Sequence, residues 1–144
     1  MNIGSGQFVY MAMMQDSPYQ VKIGHSRNPI DRERSLFSAG VPEPYHMLHV
    51  WKVHDMLHVE EGVIHPWLVQ YRNIYGKEIF HLDCMYPDLI DPDVLDNVNG
   101  LNLANKLAED IDVYLKQRNI AYQRVWYDEL ELYDNAIRWQ KKSS

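Results

Sequence analysis

Cysteine is almost absent: Cys84 stands alone among 144 residues. One thiol excludes an intramolecular disulfide and a zinc site built from cysteines. Long apolar runs are missing too, and none approaches the length a membrane-spanning helix needs. The first residues lack the basic-then-apolar pattern of a secretory signal, so a soluble cytoplasmic protein with no membrane partner is expected. An excess of positive charge is also lacking. The formal net charge is −6, which speaks against the basic surface that tight, non-specific nucleic-acid binding requires. The deficit is uneven. Residues 1–40 hold four basic and three acidic side chains, whereas residues 81–144 hold seven basic and twelve acidic. A local cationic groove in the first third is compatible with that distribution.

What is present suits one compact domain with a small extension, since 46% of the residues are hydrophobic. QFVYMAM (7–13) and YQVKIG (19–24) are β-prone runs on either side of the turn signal DSP, which predicts a hairpin. In NPIDRERSLFSAG, Asn28 can cap a helix, Pro29 suits its first position and Gly40 stops it, with Ile30 and Phe37 on the buried face. Pro42 and Pro44 make a loop before a third strand, HMLHVWKV (46–53). Asp55 can cap a second helix with Leu57, Ile64 and Leu68 along one stripe, kinked or broken near Pro66. A fourth strand, KEIFHL, follows Gly76.

The order β-β-α-β-α-β predicts the α+β class, a small antiparallel sheet flanked by helices. Residues 1–82 read as the sheet domain and 83–100, with two prolines and five aspartates, as a surface connection. Residues 101–144 read as a helical extension docked on the domain or on a partner. Its first helix carries Leu103, Leu107, Ile111 and Leu115, and its second Trp126, Leu130, Tyr133 and Ile137, with Lys141 and Lys142 near the end.

In the hairpin, Tyr10 and Lys22 face the same side if the register is right, and Arg32, one turn into the next helix, can lean over them. A phenol, an ammonium and a guanidinium around one cavity suit a phosphate. The alternative is a half-buried tyrosine with two solvated cations.

The elements Val9-Tyr10, Lys22-Ile23-Gly24, Asn28-Pro29, Arg32, Glu61-x-x-x-His65 and Glu78-x-Phe80 occur in that order. Together they resemble the GIY-YIG nuclease superfamily, in its branch of small phage and large-DNA-virus proteins. The resemblance covers roughly residues 6–82, with Phe8 standing where the superfamily has glycine. It implies a metal-dependent endonuclease that hydrolyses a phosphodiester bond, with DNA as the implied substrate. Tyr10 and Lys22 would lie at the attacking water, Arg32 would brace the scissile phosphate, and His25 would donate a hydrogen bond or shuttle a proton. Glu61 would hold one Mg²⁺ or Mn²⁺ ion, with His65 beside it; Glu78 matches a position to which no role is assigned. A tyrosine, with a pKa of about 10, is a poor base unless a cation lowers it.

Three alternatives accompany this reading. His54, His58, Glu61 and His65 form a stripe at helical spacing, but His54 and His65 lie three turns apart and cannot share one zinc ion, so a solvated face is expected. Arg27 and Arg34 either track a nucleic-acid backbone or pair with Asp31 and Glu33. The domain could also be a non-cleaving module that binds nucleic acid, or a host protein or second copy through the C-terminal helices.

Overall fold

The computed structural model of the chain describes residues 6–14, 16–38, 45–76 and 78–143; within them the side chains of 36–38, 133, 136, 137 and 139–143 are not described. The expectations for Phe37, Gly40, Pro42, Pro44, Tyr133, Ile137, Lys141 and Lys142 therefore lie outside the described residues or side chains.

Strands β1 (Gln7–Met14) and β2 (Gln20–Ser26) form the expected antiparallel hairpin. Helix α1 (Pro29–Ser38) starts as its sequence dictates: the Asn28 side chain accepts the Asp31 N–H at 3.3 Å, satisfying a donor the first turn leaves over. Strand β3 (Tyr45–Val53) pairs with β1, and the short β4 (Ile79–His81), which runs into the four-residue helix α3 (Leu82–Met85), pairs with β2. With β5 (Tyr122–Val125) beside β3, they make one antiparallel sheet in the order β4-β2-β1-β3-β5. The α+β architecture is as expected. The extension is not purely helical, however, because β5 completes the sheet edge. That four-residue run, YQRV, carries too little alternation to announce a strand.

Side-chain alternation along the strands divides the core between two faces. Phe8, Tyr10, Ala12, Val50 and Val125 pack with Ile30 of α1 and Leu130 of α5 (Tyr127–Ser143). On the other face, Val9, Met11, Ile23 and Trp51 meet α4 (Asp96–Gln117), whose Leu103, Leu107, Ile111 and Leu115 are all buried. Each such side chain contributes about 1.5–3 kcal/mol on burial. Helix α4 begins at Asp96, inside the segment expected to be a connection. Its start touches the hairpin turn so closely that a Cβ on Gly100 would lie 2.0 Å from the Pro18 carbonyl oxygen. At its other end Asn119 takes a positive φ of 57°, and Ile120 N–H reaches back to Leu115 O at 2.9 Å. This left-handed cap stops the helix and turns the chain into β5.

Between β3 and β4 the chain departs most from expectation. Asp55 caps as predicted, accepting the His58 N–H at 3.1 Å. The following segment is a π-helix, His58–Ile64, then a three-residue α2 (His65–Trp67) and a 3₁₀ turn, Val69–Tyr71. Pro66 has no N–H for the Gly62 carbonyl and its ring crowds that oxygen, so a regular α-turn is unfavourable there. The wider turn takes residues seven apart off one face. Leu57, expected on the buried stripe, is accordingly 51% exposed, while Val59, Glu60, Val63 and Ile64 point inward. Trp67 stacks on Tyr114 of α4 with ring centroids 4.2 Å apart, fixing the segment against the core.

Candidate active site at the edge of the second strand

Strand β2 is covered by β4 only along Gln20–Lys22. Beyond that, its outer edge meets other groups. Ile23 N–H donates to Glu78 O at 2.8 Å, and His65 Nε2–H donates to Ile23 O at 3.0 Å. Side chains from both faces of the sheet converge here.

From the α1 side come Tyr10, Lys22 and Arg32. Tyr10 lies opposite Gly24 and Ala12 opposite Lys22, so the tyrosine and the lysine are diagonal neighbours on one face. Gly24 has a steric reason: a Cβ there would sit 2.5 Å from the Tyr10 hydroxyl. Burial raises the Tyr10 pKa, and the hydrogen bond and charge of Arg32 only partly offset it. Tyr10 is therefore a phenol at neutral pH. Lys22 Nζ lies 2.5 Å from Glu78 Oε2. Burial alone would raise Glu78, but the hydrogen bond and charge of Lys22 prevail and hold it below the usual carboxylate range.

From the π-helix side come Glu60, Glu61 and His65, with His25 of β2. Glu60 is fully buried, an unusual place for a carboxyl group. Its Oε2 contacts His25 Nδ1; its Oε1 has no partner of good hydrogen-bond geometry among the described residues, with His65 Nε2 3.5 Å away and the Glu78 carboxyl close by. Burial, reinforced by the neighbouring Glu78 charge, raises Glu60 to about 7 despite the hydrogen bond from His25. Burial likewise lowers His65, so its imidazole is neutral, with the proton on the nitrogen that faces Ile23 O. Glu61 is exposed and lines an open cleft of about 620 Å³ with His65, Pro66, Val69, Arg72 and Glu78.

Glu61, which the resemblance implies as the metal ligand, lies in the group that could hold an ion, and Glu60, which no motif marked, joins it. In an α-helix the residue four before His65 shares its face; here His65 N–H bonds to Glu60 O, five back. The signal was Pro66 itself, which disturbs the turn that would have kept Glu61 in line. His54 and His58 are exposed and do not join the site, but the expected solvated stripe does not extend to His65, whose side chain is only 11% exposed. Arg27 is exposed. Arg34 pairs with Asp134 of α5 at 3.0 Å, because α5 packs beside α1. Glu33 accepts the Met47 N–H at 2.7 Å.

Ligand atoms of His25, Glu60 and Glu61 lie within 4.8 Å of one another. The buried Glu60 Oε1, left without a partner of good hydrogen-bond geometry, beside the exposed Glu61 carboxylate fits a divalent ion. One imidazole nitrogen with two carboxylates suits Mn²⁺ at least as well as Mg²⁺, which favours oxygen ligands.

The class these features define is an α+β domain with a carboxylate- and histidine-lined cleft at an open strand edge, Tyr10 and Arg32 beside it. Residues 7–99, more than half of the chain, match the T5orf172 domain, and the chain belongs to that family. The family is a GIY-YIG/HNH-like, phage nuclease-associated domain. Neither a curated protein nor a solved structure matches the chain significantly. Every candidate site residue falls inside the matched segment, whereas β5 and α5 lie beyond it.

Proposed function

We propose that the chain is a metal-dependent endonuclease of the GIY-YIG type that hydrolyses phosphodiester bonds in DNA, acting in a host-cell cytoplasm. The observation that supports this most is the meeting of Tyr10, Lys22 and Arg32 with Glu60, Glu61, Glu78, His25 and His65 at one strand edge. His25, Glu60 and Glu61 would hold one Mg²⁺ or Mn²⁺ ion. When bound, it supplies positive charge to the phosphate and to the departing oxygen.

The side chains divide the remaining work. Arg32 grips the phosphate and stabilises charge as it develops. Tyr10, kept a phenol by burial, orients the attacking water by hydrogen bonding rather than deprotonating it. Lys22, neutralised by Glu78, fixes that carboxylate beside the cleft. His65 is neutral with Nε2–H committed to a backbone carbonyl, so its Nδ1 lone pair is available to take a proton. Arg27 and the half-exposed Arg34 would contact flanking phosphates.

The test is cleavage of supercoiled, linear and single-stranded DNA with Mg²⁺ or Mn²⁺ by wild type, Glu60→Gln, Glu61→Gln and Arg32→Ala. Cutting by wild type that Arg32→Ala and Glu60→Gln abolish supports the assignment. No cutting by a folded wild type refutes it. One feature favours a second reading, a non-cleaving module that binds a host protein or a second copy. The C-terminal part exposes Trp126, Tyr127 and Leu132, apolar surface beyond the family match. Binding through that surface would be insensitive to salt, unlike binding through phosphates.

A further inference from the structure

The turn between the 3₁₀ segment and β4 leaves two large apolar side chains in solvent. Ile74 is 86% exposed and Tyr75 93% exposed. The turn is nevertheless built, not slack. Arg72 bridges to Phe80 in antiparallel fashion, Asn73 N–H donates to Ile79 O at 2.7 Å, and Ile79 N–H donates to Gly76 O at 3.1 Å. The Asn73 side chain accepts the Tyr75 N–H at 2.8 Å, an Asx turn that fixes the tip. Both feet of this turn, Arg72 and Glu78, line the candidate cleft. Three residues span at most about 10 Å, so the Tyr75 backbone stays within that reach of either foot. Exposed Val69, on the cleft wall, extends the apolar rim.

We infer that the Ile74–Tyr75 tip stacks on an unpaired nucleobase next to the scissile phosphate, making this turn a substrate-reading element. The inference rests on the nuclease reading above and adds a substrate class to it. A protruding phenol ring with an aliphatic neighbour offers a flat apolar face, and every base has a matching one. Bases inside a duplex already stack on both sides and offer none. Arg72 at the foot of the turn adds a cation for the adjoining phosphate. The acidic chain has little charge with which to grip a long duplex, so a short contact that combines stacking with a few phosphates suits it better.

The experiment is fluorescence anisotropy in EDTA, with a short labelled single strand and the duplex of the same sequence. Wild type is compared with Tyr75→Ala, Ile74→Ala and Tyr75→Phe, all solvent-exposed positions whose substitution leaves the fold intact by circular dichroism. Tyr75→Ala should weaken single-strand binding about 5- to 150-fold, the range for losing one aromatic–base stack. Tyr75→Phe should bind as wild type does, and duplex affinity should change little in all three. Unchanged single-strand affinity in Tyr75→Ala, with wild type still binding, overturns the inference and leaves the nuclease reading in place. Equal weakening on both substrates assigns the tip to duplex contact and also overturns it. Absence of any nucleic-acid binding by wild type, both in EDTA and with non-catalytic Ca²⁺ in its place, overturns both.

Discussion

Replacing Glu60 with glutamine tests the site without asking for catalysis. The folded chain holds the Glu60 proton up to about pH 7, whereas an ordinary carboxyl releases it near 4.5. A raised folded pKa means that the folded state binds more protons between those values. Stability from this group is therefore fully present below 4.5 and is lost as pH rises through about 7. The difference corresponds to roughly 3 kcal/mol by pH 8 with no metal present. Glutamine has nearly the same shape, can still hydrogen-bond His25, and carries no charge. Glu60→Gln should thus equal wild type near pH 4.5 and exceed it by up to roughly 3 kcal/mol at pH 8. The assay is urea denaturation in EDTA across that range, reported as the difference between the two proteins. The subtraction matters because His49 contributes with the opposite sign. Burial depresses its pKa, so its stability contribution is lost as pH falls below 6.5. Adding Mn²⁺ at pH 8 should raise the wild-type midpoint and leave that of Glu60→Gln nearly unchanged. A glutamine variant no more stable than wild type at pH 8 would refute the picture of a buried, under-compensated carboxylate.

Three other substitutions probe the frame of the site. Gly24→Ala puts a methyl where the Tyr10 hydroxyl lies 2.5 Å away; a stability loss of about 1–3 kcal/mol and, for an active nuclease, at least a tenfold fall in cleavage are expected. Gly100→Ala sets a Cβ 2.0 Å from a backbone oxygen of the hairpin turn, which cannot yield as a side chain can. It should cost about 2–4 kcal/mol in denaturation, more than Gly24→Ala. Asp112→Ala strips the acceptor from the buried Trp51 indole N–H (2.7 Å) and from Arg124 (3.0 Å). A loss of about 2–4 kcal/mol is expected, with faster amide exchange in β5, whose Arg124 is held to α4 by that aspartate.

Local chemistry made much of the molecule readable in advance. The hairpin, the Asn28 and Asp55 caps, the amphipathic leucines of α4 and the order of elements all depend on neighbours a few residues apart. The placement of Tyr10 and Lys22 on one face was conditional on register, and the pairing of Tyr10 with Gly24 supplies it. Where the reading failed, the cause is physical. Proline at 66 was seen to disturb a helix, but the form of the disturbance depends on packing. A π-helix whose inward residues join the core shared by the sheet and α4 adds a buried Glu60 beside the exposed Glu61. Strand β5 exists because β3 offers an open edge, and Arg34 meets Asp134 across 100 residues of chain because α5 lies along α1.

The sequence by itself determined the α+β class, the hairpin-to-helix path that carries Tyr10, Lys22 and Arg32, and the capped start of the second helical segment. These follow from periodicity, turn residues and caps, all short-range effects. Tertiary structure alone decided which carboxylate is buried, that Glu78 neutralises Lys22, and that burial keeps Tyr10 protonated. Desolvation and charge pairing depend on what long-range packing brings together, and no local spacing encodes that.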